Sequence, residues 1–450
     1  MTFQGKPVSS KNQNKPMGFW MCTALIIGNV IGMGIFMLPA SLAPYGMNAF
    51  IGWAITLFGC IFVAQVFANF ARAFPQADGP YAYTRIAFGN VFAFFILWCY
   101  WVSVCITNST LAIGIVGYLS SLFPAIAATW YVAPALAIAL IWVFVLINLR
   151  GLQTSGQVQL MTTILKLLPM LAVLMLGLYL LLADPAVFTA QLPHTAISLE
   201  ASAAAGTIAL FAMLGVESAT IPAGKVVDPE TTIPRATMIG TIITALIYIG
   251  VSAIPLLLIP QAELSVSNAP FVDLFHRYLN ADAGMWVALF VIISGLGALN
   301  GWTMIAGEMT VSMANHGVFP EFLKQQSGRG APAAALILTG ILASIMIAMN
   351  YSRSLAQGFT FLSVMVTAAN MPLYLIAALG LLKLWYLRRL DGLSASSVIL
   401  PLGAVLASLY CLWVFYGVGA ESMMWVLVLG AFSLPIFFFM QYWHKRQNRH

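Results

Sequence analysis

Charge is what this chain has least of. Asp, Glu, Lys and Arg together make up 7% of its 450 residues, against about a quarter in soluble domains, and so little charge excludes a solvated globule. Cysteine is scarce too. Cys22, Cys60, Cys99, Cys105 and Cys411 are odd in number, form no C-x-x-C pair and all fall in apolar segments, which argues against a disulfide framework or a zinc site. Equally missing are H-E-x-x-H, G-x-S-x-G and paired aspartates, and all five histidines lie outside the apolar segments. The usual constellations of metal-dependent or nucleophilic catalysis have no residues to draw on. The chain is therefore expected to be no enzyme and to need neither metal nor cofactor.

Hydrophobic residues, 61% of the total, take the place of charge. They gather in runs of about 20 or more, the length that crosses a hydrocarbon core of roughly 30 Å as a helix, whereas a transmembrane barrel would alternate in stretches of about ten. The expected class is an all-α integral membrane bundle. Twelve runs stand out, near 17–44, 47–71, 87–121, 127–149, 157–182, 202–223, 236–259, 284–313, 332–351, 357–386, 396–418 and 421–442. The first, third, sixth, eighth and tenth are interrupted by glycine or polar residues. The polar, basic segment 1–16 leads into a run too long and too glycine-broken for a signal-peptide core, so it is expected to be retained.

Loop charge supplies a direction, because cytoplasmic loops keep Lys and Arg. With the amino terminus inside, only Arg277 and Arg353 of the 19 basic residues fall in outside loops, and Lys166 alone falls deep within a run. Asp184, Glu200, Glu263, Asp273, Asp282 and Glu421 share the outside loops. Both termini, including the tail 443–450, are thus placed in the cytoplasm. The net charge of +6 follows this bias and requires no nucleic acid as partner.

Several runs break the rules of a membrane helix. The first contains GNVIGMGIFMLPA, residues 28–40, with Asn29 beside Gly28, Gly32 and Gly34. Irregular backbone at that depth is tolerated only against protein or a wet cavity; the alternative is close packing through the GxxxG pair Gly28 and Gly32. The sixth run carries Gly215 and Glu217 near its middle. A carboxylate there costs about 2.5–3.5 kcal/mol on insertion scales, so it must face a cavity or bond to a neighbouring helix. Interrupted helices at matching places in two halves of five spans point to a transporter's midplane site, where amide donors at a half-helix start suit an anion and freed carbonyls suit a cation. An amino acid zwitterion has both groups. Lys166, about nine residues from the cytoplasmic end of the fifth run and so roughly 14 Å deep, is either a group that gains and loses a proton as the cavity hydrates or a fixed cation on carbonyls of the broken helices. Phe211, one turn before the sixth-run break, and Trp302, directly after GLGALNG, offer aromatic faces to a cation.

These residues resemble the amino acid-polyamine-organocation superfamily, and within it the basic amino acid/polyamine antiporters. The resemblance runs through GNVIGMGIFMLPA, GPYAYTRIAFG, VGYLSSLFP, GVESATIPAGKVVDPETTIPRAT, GWTMIAG and NHGVFP. It implies a twelve-span fold with a five-plus-five inverted repeat, here 17–182 and 202–386 followed by spans at 396–442, often dimeric, working by alternating access in a plasma membrane such as the bacterial inner membrane. It further implies that Gly32, Met33 and Gly34 bind the substrate carboxylate, that carbonyls near Phe211 to Leu214 take its amino group, and that Asn108 is a polar pocket residue. Tyr100, Glu217 and Trp302 look like gates. Lys166 is similar to a lysine that stands in for sodium in proton-coupled relatives. Met33, Ser103, Val104, Phe211 and Met365 depart from the branch that exchanges arginine for agmatine, which makes the far end of the pocket more apolar. Proton symport of neutral amino acids, with Lys166 as the coupling group, is the alternative; a channel or nutrient receptor of the same fold is also compatible with the sequence.

Overall fold

The computed structural model describes residues 18–75, 79–150, 165–190, 195–217, 226–315, 317–325, 327, 331–350, 352–390 and 399–447. Parts of the expected runs, 157–164, 218–223 and 396–398, and most of both tails lie outside the described residues. The first part of the chain holds α1 (Phe19–Val30), α2 (Gly34–Leu42), α3 (Met47–Ala73), α4 (Gly79–Phe88), α5 (Asn90–Leu122), α6 (Val132–Leu149) and α7 (Leu167–Ala183). The second holds α8 (Leu199–Met213), α9 (Pro229–Leu258), α10 (Pro270–Tyr278), α11 (Ala281–Asn315), α12 (Ala333–Met349) and α13 (Leu355–Tyr386), and α14 (Ile399–Gly417), α15 (Ala420–Ala431) and α16 (Ser433–Gln447) close the chain. Among the described residues there is no strand.

Eight of these stretches are long and apolar enough to cross a membrane: α3, α5, α6, α9, α11, α13, α14 and Ala420–Met440. Shorter apolar helices fill most of the gaps between them, among them α7, α8 and α12. The protein is a multi-pass membrane protein. Its middle is built by α5 and α13, whose most apolar windows are 72% and 78% buried, while Ala420–Met440 is only 17% buried and faces outward. α5 packs along α13 and α11, and α3 packs along α8 and α9.

Lipid tails are as apolar as leucine, so helices in a bilayer associate through close packing of small residues rather than by escape from water. The contact of α3, α8 and α14 shows how close that is. A Cβ on Gly417 would stand 2.1 Å from the Ala203 carbonyl oxygen, and one on Gly52 would stand 2.6 Å from the Gly206 amide nitrogen. The Thr207 hydroxyl, on the same face of α8, donates across to the Val414 carbonyl at 3.0 Å. Backbone meets backbone at these points, which fixes α8 between α3 and α14.

Candidate substrate site

The glycine-rich stretch of the first run does break its helix. α1 stops at Val30, Ile31 turns extended (φ −72°, ψ 96°), and α2 restarts at Gly34. Ile31 still donates to Ile27 at 2.9 Å, but the next carbonyls need partners from elsewhere. Lys166 Nζ donates to the Gly28 carbonyl at 3.0 Å, and the Tyr248 hydroxyl donates to the Val30 carbonyl, also at 3.0 Å. Both side chains are fully buried. Farther on, the Tyr118 hydroxyl donates to the Phe36 carbonyl at 2.9 Å. Lys166 is thus bound to the end of the broken helix. The side chain of Asn29 lies outside the described residues.

The other break is in α8, which ends at Met213. Leu214 is extended (φ −67°, ψ 142°) and Gly215 has φ +107°, a conformation open to glycine and strained for most other residues. The two breaks meet. A Cβ on Gly34 would lie 3.2 Å from the Cα of Ala212 and 3.3 Å from the Phe211 ring. Between them is a cavity of about 20 Å³ lined by Gly32, Gly34, Phe211, Leu214 and Trp302 of the expected residues. That volume holds about one water molecule, so this is a closed conformation.

Thr107 and Leu111 of α5 also line the cavity, and sequence reasoning missed both. Their signal was available in the spacing: they follow Ser103 and Asn108 by one turn or less on α5, whose most apolar window is 72% buried. Ser103, Asn108 and Met365 are buried but do not line the closed cavity. Ser103 donates to the Tyr100 carbonyl at 2.7 Å, and Thr107 to the Ser103 carbonyl at 2.8 Å. Met33, between the two expected carboxylate-binding glycines, turns away from the cavity. A Cβ on Gly114 would stand 2.6 Å from its Cγ, and one on Gly295 would stand 2.9 Å from its sulfur. Two bare glycines, one on α5 and one on α11, make the socket this side chain fills.

Glu217 is fully buried just past the α8 break. The Tyr100 hydroxyl donates to its Oε1 at 2.9 Å and the Tyr374 hydroxyl to its Oε2 at 2.7 Å. These bonds tie α5 and α13 to the end of α8. Tyr374 was not singled out from sequence, since nothing in the local pattern of the tenth run distinguishes it from other buried aromatics. Phe211 meets Phe359 of α13 edge to face, with centroids 5.7 Å apart. No cluster of three or more metal-ligating His, Cys, Asp or Glu occurs among the described residues.

The start of α2, the end of α8 and the rings of Phe211 and Trp302 thus line one cavity, and helix ends of this kind offer amide donors and carbonyl acceptors. The chain is 29% identical to a Bacillus subtilis protein named, by inference, an arginine/ornithine antiporter, covering 94% of this chain and 96% of the relative. It is 27% identical to the putrescine transporter PotE of Haemophilus influenzae, over 96% and 98%, and 28% identical to the cadaverine/lysine antiporter of Escherichia coli, over 96% of each. The amino acid permease family profile matches residues 17–440, and the chain belongs to that family.

Proposed function

We propose that the protein is a secondary active antiporter that exchanges a basic amino acid for a related amine or polyamine by alternating access. The observation that carries this is the meeting of two helix breaks at one closed cavity. The names of the relatives supply the substrate class. The substrate carboxylate sits on the amides of Gly32 to Gly34 and its amino group on the carbonyls of Phe211 to Leu214. Trp302 and Phe211 occlude it, and Tyr100 and Glu217 form a gate. Both termini face the cytoplasm of a bacterial cell, and the protein sits in the inner membrane as a homodimer.

The proposed fold has twelve spans in a five-plus-five inverted repeat. Helix contacts support it: α1 packs on α9 as α8 packs on α3, which is the exchange of partners that a repeat relating the first span to the sixth and the second to the seventh requires. Rocking of α1, α2, α3, α8 and α9 against the remaining helices would open the cavity to one side at a time.

Counterflow into proteoliposomes tests the function. Labelled L-ornithine or L-lysine should enter only when the lumen is preloaded with amino acid or diamine. Uptake into empty vesicles under an imposed inward proton gradient would instead establish the symport alternative, which the burial of Lys166 against the Gly28 carbonyl keeps in view. Stabilisation of the purified protein by large neutral amino acids alone would sink the basic-substrate assignment.

The gate has its own expected result. Tyr374→Phe removes the hydroxyl that donates to Glu217 Oε2, and a buried bond to a charged group contributes about 1.5–3 kcal/mol. The half-saturation concentration should shift by about tenfold or more while the variant accumulates normally in the membrane. Unchanged exchange kinetics would show that this bond does not hold the gate.

A further inference from the structure

A cavity of about 240 Å³ lies between α5, α12 and the last two helices, α15 and α16. It is separate from the substrate site. At 3.6 residues per turn, Trp98, Val102, Cys105 and Ile106 share the face of α5 that lines it, and Tyr100, Ser103, Thr107 and Leu111 share the opposite face. The side chains on its wall are all apolar. The two indole N–H groups among them are spent on protein: Trp98 Nε1 donates to the Leu429 carbonyl at 3.0 Å, and Trp101 Nε1 to the Thr310 hydroxyl at 2.7 Å. Those bonds tie α5 to α15 and to α11, and Phe319 packs edge-on to both indoles. The walls are held in place and do not collapse into the space.

Empty space of this size is foreign to a close-packed interior. Water does not fill it, because an apolar cavity of comparable volume stays dry and takes up apolar molecules instead. The occupant is therefore hydrocarbon, and the shape says which kind. Trp98 to Ile106 on α5 and Leu338 to Met346 on α12 each cover about 12 Å along a helix axis, so the cavity runs with the helices. Its rim, formed by Leu338, Leu342 and Met346 of α12 with Leu429 and Ile436, is half-buried and continues into the exposed side chains of Ile337, Ile341, Ile345 and Leu434. The space thus joins the surface that faces lipid. A helix of a second copy, about 10 Å across with its side chains, is too wide to enter.

We propose that this cavity holds one acyl chain of a bilayer phospholipid, lying along α5 with its headgroup outside the cavity. The chain fills the space behind the turn of α5 that carries Tyr100, whose hydroxyl donates to Glu217. It braces the gate from the side that the substrate does not touch. That role rests on the antiport reading; the lipid site does not.

The test illuminates the purified full-length protein in nanodiscs made with a phosphatidylethanolamine that carries a diazirine in mid-chain, and maps the adducts by peptide mass spectrometry. Adducts should form within 98–106 of α5, where Val102, Cys105 and Ile106 are buried and out of reach of lipid on the outer surface. Val102→Phe, which puts a ring into the cavity, should cut them about tenfold or more, a factor that takes only about 1.4 kcal/mol of lost binding, while adducts on the exposed Ile341 and Ile345 persist. In detergent after delipidation, added phospholipid should raise the apparent Tm of the wild type and not that of Val102→Phe, whose ring already fills the space. If that variant fails to accumulate, Leu342→Phe carries the same comparison. No adduct within 98–106, or adducts that both variants leave undiminished, overturns the proposal. So does a Tm that rises with protein concentration and not with phospholipid, the result expected if a second copy covers the cavity. Neither readout needs transport, so a protein that shows the α5 adducts but no counterflow would fail the antiport reading and keep the lipid site.

Discussion

In Lys166→Met, exchange should fall at least about tenfold while the protein still reaches the membrane and runs as a single species in detergent. The ammonium is buried and donates to the Gly28 carbonyl at 3.0 Å, in the last turn of α1 before the break. Methionine fills nearly the same space and cannot donate. A hydrogen bond to a charged group contributes about 1.5–3 kcal/mol, or one to two decades of equilibrium constant at about 1.4 kcal/mol each. The loss falls on the geometry of the break, since Tyr248 alone is then left to hold the neighbouring carbonyl of Val30. Flux measured at several pH values separates capping from coupling. A uniform fall across pH is the signature of a structural cap, and a fall confined to proton-driven accumulation is that of a coupling group. Wild-type flux at every pH would show that the lysine does neither.

Gly114→Val should abolish measurable substrate binding, and Met33→Ala in the same chain should restore much of it. The added Cβ would stand 2.6 Å from Met33 Cγ and 3.2 Å from the Phe359 ring, inside a fully buried region. Overpacking of this kind costs about 1–3 kcal/mol. Met33 gives way by moving its own backbone, which is the link between α1 and α2 and carries the amides facing the cavity. Shortening Met33 empties the socket and lets the valine in. Met33→Ala alone should destabilise by about 2–5 kcal/mol, the range for deleting a buried methionine side chain, and lower the apparent Tm. The check is a binding titration of the three variants against wild type; failure of the double variant to recover relative to Gly114→Val would show that the socket does not transmit to the site.

Much of the fold was legible because a bilayer restricts what a sequence can do. Long apolar runs, the breaks at Ile31 and Leu214, and the burial of Glu217 and Lys166 all follow from the cost of unpaired polar groups in hydrocarbon. Gly32, Gly34, Phe211, Leu214 and Trp302 were expected at the site and do line one cavity. What one sequence hides is the direction of a side chain on a helix buried on all sides. Met33 is expected beside the carboxylate-binding glycines, and its side chain fills the socket between Gly114 and Gly295. Periodicity is silent where every face is apolar, and so Tyr374 and Tyr248 carry no mark of their own. Their partners are 157 and 218 residues away in the chain, and only the fold brings them together.

The glycine contacts that seat α8 between α3 and α14 limit the kind of displacement α8 can make. Where a carbonyl of one helix fits into the space of a missing side chain on another, an axial slide of even one residue rise, about 1.5 Å, would drive a Cβ or a carbonyl into the neighbour. α8 therefore has no piston stroke. In the proposed rocking it would turn with α3 against α14, with the bending at the left-handed Gly215, so the α8–α14 contact would be the fulcrum.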